Sequence, residues 1–187
     1  MRLAVLAACG LCAALLCACG DTLHAKPIPH NILESMIVSP FPVYWAGASF
    51  QKLAITDAAH DPGGAFTVQY GNCLQGGQGV CVSPLKIVTS PDNSFLPGGP
   101  GAGRTTRVRG APALIARGGR TIVIATGPVV VDIYARDAIL AAAAARQIVP
   151  INTPGAPQAP LPAQLPDSGF AARPLPSQTP LHLGAPR

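Results

Sequence analysis

The stretch that decides the fold is residues 105–134, TTRVRGAPALIARGGRTIVIATGPVVVDIY. It consists of short β-branched and apolar runs separated by turn signals, among them Gly118-Gly119 and Gly127-Pro128. The runs that we expect to form strands are 105–109, 121–125 and 129–134, with a weaker candidate at 113–116. Reversals this short require antiparallel neighbours, so the stretch predicts a β-meander.

A helix is predicted directly after the meander. Residues 121–125 and 129–131 are continuously apolar, which favours central strands that are covered on both faces. Arg136 to Gln147 supplies the cover, because its run of alanines has high helix propensity and Pro150 prevents continuation. Further strands are expected at 66–70 and 85–89 and, more weakly, at 43–45 and 53–56. The sequence therefore predicts an α+β fold, a small antiparallel sheet with a C-terminal helix packed on it.

Composition divides the chain into four parts. The predicted α+β domain spans residues 41–150, an ordinary length for one domain. Residues 151–187 are rich in proline and alanine and predict a disordered tail, because they offer little apolar surface to bury. Residues 19–40 are predicted to be a linker, in which Asn31 and Glu34 have the spacing of a helix N-cap, so a short helix is also an option there. Residues 1–18 are predicted to be a signal peptide.

The first twenty residues, MRLAVLAACGLCAALLCACG, have the composition of an export signal. Arg2 precedes an uncharged apolar run that suits cleavage better than membrane spanning. The end of this run, Leu16-Cys17-Ala18-Cys19, resembles the bacterial lipobox, which implies a lipid on Cys19 and anchoring at the extracytoplasmic face of the cell membrane. An ordinary secretory signal cut nearby and an uncleaved N-terminal anchor are the alternatives.

The six cysteines fit export. Three of them leave with the signal and Cys19 takes the lipid, so the mature chain retains Cys73 and Cys81. An even pair suits an oxidising compartment, and we predict a disulfide that closes the glycine-rich loop between them. On the chain-entropy model this bridge contributes about 2.6 kcal/mol. The C-x7-C spacing is not that of a zinc site and no histidine lies nearby, so the sequence predicts no metal and no cofactor.

Five arginines within residues 104–120, with no acid among them, predict a basic patch. They are Arg104, Arg107, Arg109, Arg117 and Arg120. Strand alternation places Arg107 and Arg109 on one face. The patch is either a charged, solvated face that discourages edge pairing or a contact for anionic lipid or wall polymers. Nucleic acid is disfavoured as a partner, because no aromatic residues interleave with the arginines.

Catalytic signals are sparse, and we assign no catalytic residue. His60 lies beside Asp61 in a predicted turn, where an acid/base pair with Asp61 or Asp57 is the functional alternative to a solvated turn. The motifs of serine hydrolases and zinc peptidases are absent from the sequence. Asp132, within an apolar strand, is expected to form an ion pair with an arginine.

The aromatic residues ahead of the cysteine loop allow two interpretations. These residues are Tyr44, Trp45, Phe50 and Phe66. They form either part of the core or the lining of an open groove, and the sequence alone does not separate the two.

Three segments together carry a resemblance to a family: Val43-Tyr44-Trp45-Ala46-Gly47, the Gln69 to Cys81 loop, and Thr126-Gly127 ahead of 129–134. They resemble exported, lipoprotein-like proteins of high-GC Gram-positive (actinobacterial) bacteria that have no named activity. The resemblance spans about 43–152 and implies location and fold, with no functional residues. The leading hypothesis is a non-catalytic lipoprotein for binding or envelope maintenance. A hydrolase of cell-envelope esters and a carrier of an apolar ligand are the alternatives.

Overall fold

The computed structural model describes residues 27–72, 74–75, 81–91 and 103–165. The predicted signal peptide, Cys19, Cys73 and the side chain of Cys81 lie outside the described residues, so the lipid and disulfide predictions stay predictions. The helices are α1 (His30–Ile37) and α2 (Ala138–Gln147). The strands are β1 (Tyr44–Trp45), β2 (Ser49–Phe50), β3 (Leu53–His60), β4 (Phe66–Tyr70), β5 (Leu74–Gln75), β6 (Cys81–Val82), β7 (Leu85–Ser90), β8 (Arg104–Val108), β9 (Ala111–Ala116), β10 (Thr121–Thr126), β11 (Val129–Ala135) and β12 (Val149–Pro150).

The main sheet has eight strands in the order β2-β3-β4-β7-β11-β10-β9-β8. Every pair of neighbouring strands in it is antiparallel. Strands β8 to β11 follow one another in space as they do in sequence, which confirms the predicted meander. Two short ribbons, β1-β12 and β5-β6, accompany the sheet. The α+β fold class is therefore confirmed.

Helix α2 packs across strands β10 and β11 on one face of the sheet. Strand β10 is buried along its whole length, as the continuous apolar run predicted. The helix turns Ala141, Ala144 and Ala145 toward the sheet, and small side chains at these positions allow a close approach. The helix begins later than expected, because the carboxylate of Asp137 accepts a hydrogen bond of 2.8 Å from the backbone N–H of Leu140 and caps the first turn.

The N-terminal segment packs on the same face: Ile28, Ile32 and Met36, all within the predicted linker 19–40, contribute to the core, and residues 19–26 lie outside the described residues. Helix α1 contributes Met36, which is buried, and the ring of Phe41 lies 6.0 Å from that of Phe66. The short helix exists, but it begins at His30 after Pro29 and has no side-chain cap. The expected capping role of Asn31 is wrong.

Residues 151–165, the first part of the predicted tail, pack on the domain, and the rest of that tail, 166–187, lies outside the described residues. Asn152 donates to the carbonyls of Ser39 and Phe41 and accepts from the N–H of Val43. Leu161 is buried, and Gln164 forms a parallel bridge with Gly127. We call residues 151–165 the strap. It contacts the N-terminal segment through Asn152 and the sheet through Gln164.

Arg109 holds the strap in place. Strand β8 ends at Val108, and Arg109 lies in the following turn with φ 51°, so it does not share a strand face with Arg107 as predicted. Its guanidinium donates hydrogen bonds to the carbonyls of Ile148 (2.6 Å), Ala156 (3.1 Å) and Ala159 (2.5 Å). Its own carbonyl accepts from Leu161 N–H at 2.9 Å. The guanidinium of Arg109 thus connects the C-terminal end of α2 to the strap.

Replacing Arg109 by Met should destabilise the domain, because three carbonyls lose a charged donor. We expect the free energy of unfolding to fall by about 2 to 3 kcal/mol in a denaturant titration. Arg107→Met on the same hairpin is the matched control, since the guanidinium of Arg107 is exposed and donates to Gly110 within its own turn. A loss of similar size in both variants would contradict the clamp role.

Candidate anion-binding site

The candidate site forms at one end of three neighbouring interior strands, where β11 ends and β7 and β10 begin. Because the neighbours are antiparallel, the end of β11 lies beside the starts of β7 and β10. The N–H of Ala135 donates to the carbonyl of Arg120 at 2.9 Å, and the N–H of Arg136 donates to the carbonyl of Pro84 at 2.8 Å. These two hydrogen bonds fix the chain segments around the site against one another.

An open cavity of about 560 Å³ lies at these strand ends, and four cationic side chains line it. We call it the basic pocket; its cations are Lys86, Arg117, Arg120 and Arg136. The remaining lining residues are polar or apolar: Gln69, Val82, Ser83, Thr121, Tyr134 and Ala135. Within the part of the chain that the structure describes, Arg136 alone has an ion pair, with Asp137 at 3.3 Å.

A tight turn brings two of the cations to the pocket. Residues 117–119 form a single 3-10 turn between β9 and β10 in which Arg117, Gly118 and Gly119 have φ values of 50°, 65° and 89°. Gly119 is required here, because a Cβ at this position would lie 2.8 Å from the Cβ of Ala138 at the start of α2. Arg120 donates from Nε to the carbonyl of Arg117 at 3.3 Å, which orients its guanidinium.

Lys86 and Tyr134 form the floor of the pocket as a cross-strand pair. The two residues face each other in the β7-β11 register, and the ammonium of Lys86 lies 4.9 Å from the centre of the Tyr134 ring. This distance is that of a cation–π contact. Burial raises the pKa of Tyr134, a nearby Asp132 carboxylate adds to this, and Arg117 opposes it. The phenol therefore stays protonated at neutral pH.

Asp132 lies two residues before Tyr134 on the same face of β11, next to the pocket. Burial raises its pKa to about 6, and the positive charge of Lys86 acts in the opposite direction. Among the described residues no arginine lies within ion-pair distance of Asp132, so the predicted arginine partner is wrong. The carboxylate instead interacts electrostatically with the ammonium of Lys86.

A chain of polar side chains forms one wall of the pocket. The hydroxyl of Ser83 donates to the Gln69 Oε1 atom at 2.5 Å, and Gln69 Nε2 donates to the Asp57 carboxylate at 3.0 Å. The amide of Gln69 is thus held in one orientation. The strongest donors that face the cavity are consequently the cationic groups.

The five arginines of the predicted patch do not form one surface. Arg117 and Arg120 line the basic pocket, whereas Arg109 is the clamp on the strap. Arg104 and Arg107 are exposed on the edge strand β8, away from the pocket lining. Sequence reasoning missed Lys86 and Arg136, although the register of β7 with β11 could have placed Lys86 opposite Tyr134.

The other predicted candidates have structural roles. Tyr44, Phe50 and Phe66 are buried in the core, and Trp45 packs against it. His60 lies in β3 rather than in a turn, and its ring stacks on Phe66 with centroids 4.1 Å apart. No hydrogen bond or ion pair joins His60 to an acid within residues that the structure describes. An acid/base role for His60 thus gains no support.

Comparison with known proteins gives no further guidance: no family model, no curated protein and no solved structure matches the chain. In the described ranges, no three side chains among His, Cys, Asp and Glu come together as a metal site would require. None of the helices in these ranges is long and apolar enough to span a bilayer.

Replacing Asp132 by Asn should stabilise the domain above pH 6. The pKa of Asp132 rises from 3.8 to about 6 on folding, so its stabilising contribution is full below pH 4 and is lost as pH rises through 6. The side chain is partly exposed, so we expect the variant to gain only about 1 to 2 kcal/mol at pH 8 and little at pH 4. Urea titrations at both pH values measure this. Asp61→Asn in the exposed β3-β4 turn is the control, and an equal gain at both pH values would contradict the assignment.

Proposed function

We propose that this protein is an exported, lipid-anchored binding module that holds an anionic ligand of the cell envelope in its basic pocket. The single observation that carries the proposal is the convergence of Lys86, Arg117, Arg120 and Arg136 around one open cavity. Like charges repel, so placing these cations close together lowers the stability of the protein when no ligand is bound. A bound anion offsets that repulsion, and the arginine fork suits oxyanions.

The pocket supports binding rather than catalysis. Its strongest hydrogen-bond donors are the cationic groups, and the tyrosine that it contains stays protonated at neutral pH. Asp132 has the raised pKa of a general acid or base, but it lies outside the pocket lining. The space between α2 and the central part of the sheet is packed with alanines and branched apolar residues. A cavity of about 230 Å³ beside α2 is lined by Arg107, Arg109 and Arg146 as well as by apolar residues, which does not favour an apolar ligand.

The predicted anchor would keep this pocket close to the membrane. Eight residue steps separate Cys19 from Pro27, where the described chain begins, and a fully extended chain of that length spans at most roughly 28 Å. A domain on so short a tether samples the headgroup region and the wall polymers next to it. An anionic component of either is therefore within reach of the pocket.

The anchor is tested by the intact mass of protein extracted from the membranes of its expressing host. We expect a mature chain that begins at Cys19 and carries a diacylglyceryl group, and we expect Cys19→Ser to be released from the membrane fraction. Reduction should add the mass of two hydrogens for a Cys73-Cys81 disulfide. An unlipidated chain in the membrane fraction of the wild type would contradict the anchor.

Anion binding is tested by calorimetric titration of the detergent-extracted protein with inorganic phosphate and with sulfate. Arg117→Gln with Arg120→Gln removes two cations from the pocket, so we expect affinity to fall by about tenfold or more. Arg104→Gln with Arg107→Gln is the matched control, because it removes the same charge from strand β8 outside the pocket. Equal losses in the two double variants, or no binding by the wild type, would contradict the proposal.

A further inference from the structure

We propose that the basic pocket selects a phosphate monoester, with its phosphate between Lys86, Arg117 and Arg120 and its organic substituent against Tyr134. The inference rests on the proposed anion-binding function and names the chemistry of the ligand. Three features of the pocket carry it: the balance of charge, the supply of donors and the apolar side of the cavity.

The charge balance matches a dianion. Arg136 is paired with Asp137, which leaves Lys86, Arg117 and Arg120 without an acid at ion-pair distance among the described residues. Asp132 acts on Lys86 and offsets one of these three charges when it is ionised. An excess of about two positive charges remains, and a phosphate monoester carries about −1.5 to −2 at neutral pH. A phosphodiester or a monocarboxylate would leave part of this excess uncompensated.

The donors suit a group with several oxygens. A guanidinium offers a planar fork of N–H groups, and an ammonium offers three N–H groups that rotate as one. Arg120 uses Nε for the carbonyl of Arg117, so its terminal nitrogens are the atoms left for a ligand. Lys86 on β7 and the two arginines of the 117–120 turn can each meet a different oxygen. The three terminal oxygens of a monoester fit this arrangement better than the two of a carboxylate.

The cavity has room and apolar surface for the rest of an ester. Its volume of about 560 Å³ is that of a site for a small organic molecule and exceeds the needs of a bare anion. Lys86 lies over the ring of Tyr134, and Ala135 and Val82 line the cavity beside it. Val82 is 56% exposed, which leaves apolar surface for a ligand to cover.

The first test compares four soluble anions by calorimetry on the detergent-extracted protein. We expect glycerol 3-phosphate to bind about tenfold or more tightly than dimethyl phosphate, which is a diester, and than succinate, which is a dianion without phosphorus. Inorganic phosphate should bind with intermediate affinity, because it lacks the substituent. Equal affinity for succinate would overturn the phosphate selectivity, and equal affinity for dimethyl phosphate would overturn the monoester selectivity. Both results would leave the proposed function standing, whereas binding of no anion would remove both.

The second test uses variants of the two sides of the pocket. Lys86→Gln should weaken glycerol 3-phosphate by about tenfold, whereas Arg146→Gln at the end of α2 should leave its affinity unchanged. Tyr134→Leu should weaken glycerol 3-phosphate severalfold and leave inorganic phosphate unchanged, provided that the unfolding midpoint shows an intact fold. Equal weakening of both ligands by Tyr134→Leu would overturn the placement of the substituent.

The same monoester chemistry occurs in soluble phosphate esters and in phosphatidic acid at the membrane surface. Mixed detergent micelles that contain phosphatidic acid, with phosphatidylglycerol micelles as the diester control, distinguish these sources. If phosphatidic acid competes with glycerol 3-phosphate and phosphatidylglycerol does not, the pocket is assigned to a lipid headgroup. Absence of competition, with binding of the soluble ester retained, would assign it to a soluble ligand. Equal competition by both lipids would overturn the monoester selectivity.

Discussion

The register of strand β11 between β7 and β10 is the constraint on which both the core and the candidate site depend. This register pairs Ile133 with Ile87 and with Ile122 on the face that α2 covers. The same register places Tyr134 opposite Lys86 on the other face. A slip by one residue would exchange the two faces, so the apolar core enforces the position of the polar site.

The two faces of the sheet differ in how they are stabilised. On one face, the alanines of α2 and the apolar residues of the central strands exclude water, while α1 and the strap cover the neighbouring strands. On the other face, the polar side chains of Asp132 and Tyr134 are partly buried, and this burial raises the pKa of both. Holding a carboxylate there lowers stability at neutral pH. That cost is expected where a protein maintains a polar site.

Much of the fold followed from local pattern, whereas the site did not. The meander and α2 were predictable because apolar runs, glycine turns and alanine propensity act over short distances along the chain. The strap was missed because its proline-rich composition is that of a disordered tail, and its order depends on the distant Arg109 and Thr126. The pocket joins residues from 69 to 136, so its membership depends on strand order. Spacing within the sequence identified Arg117 and Arg120 but gave no reason to group them with Lys86.

The measurement that tests the central claim most directly is a nitrogen-15 NMR titration of the detergent-extracted protein with inorganic phosphate. It reports where an anion binds without assuming its identity. We expect saturable shifts of the backbone amides confined to Ser83, Leu85 and Lys86 and to residues 117–121 and 134–136, which surround the basic pocket. Shifts that follow the exposed arginines of β8, or that grow linearly without saturation, would contradict the claim that the end of β11 builds an anion site.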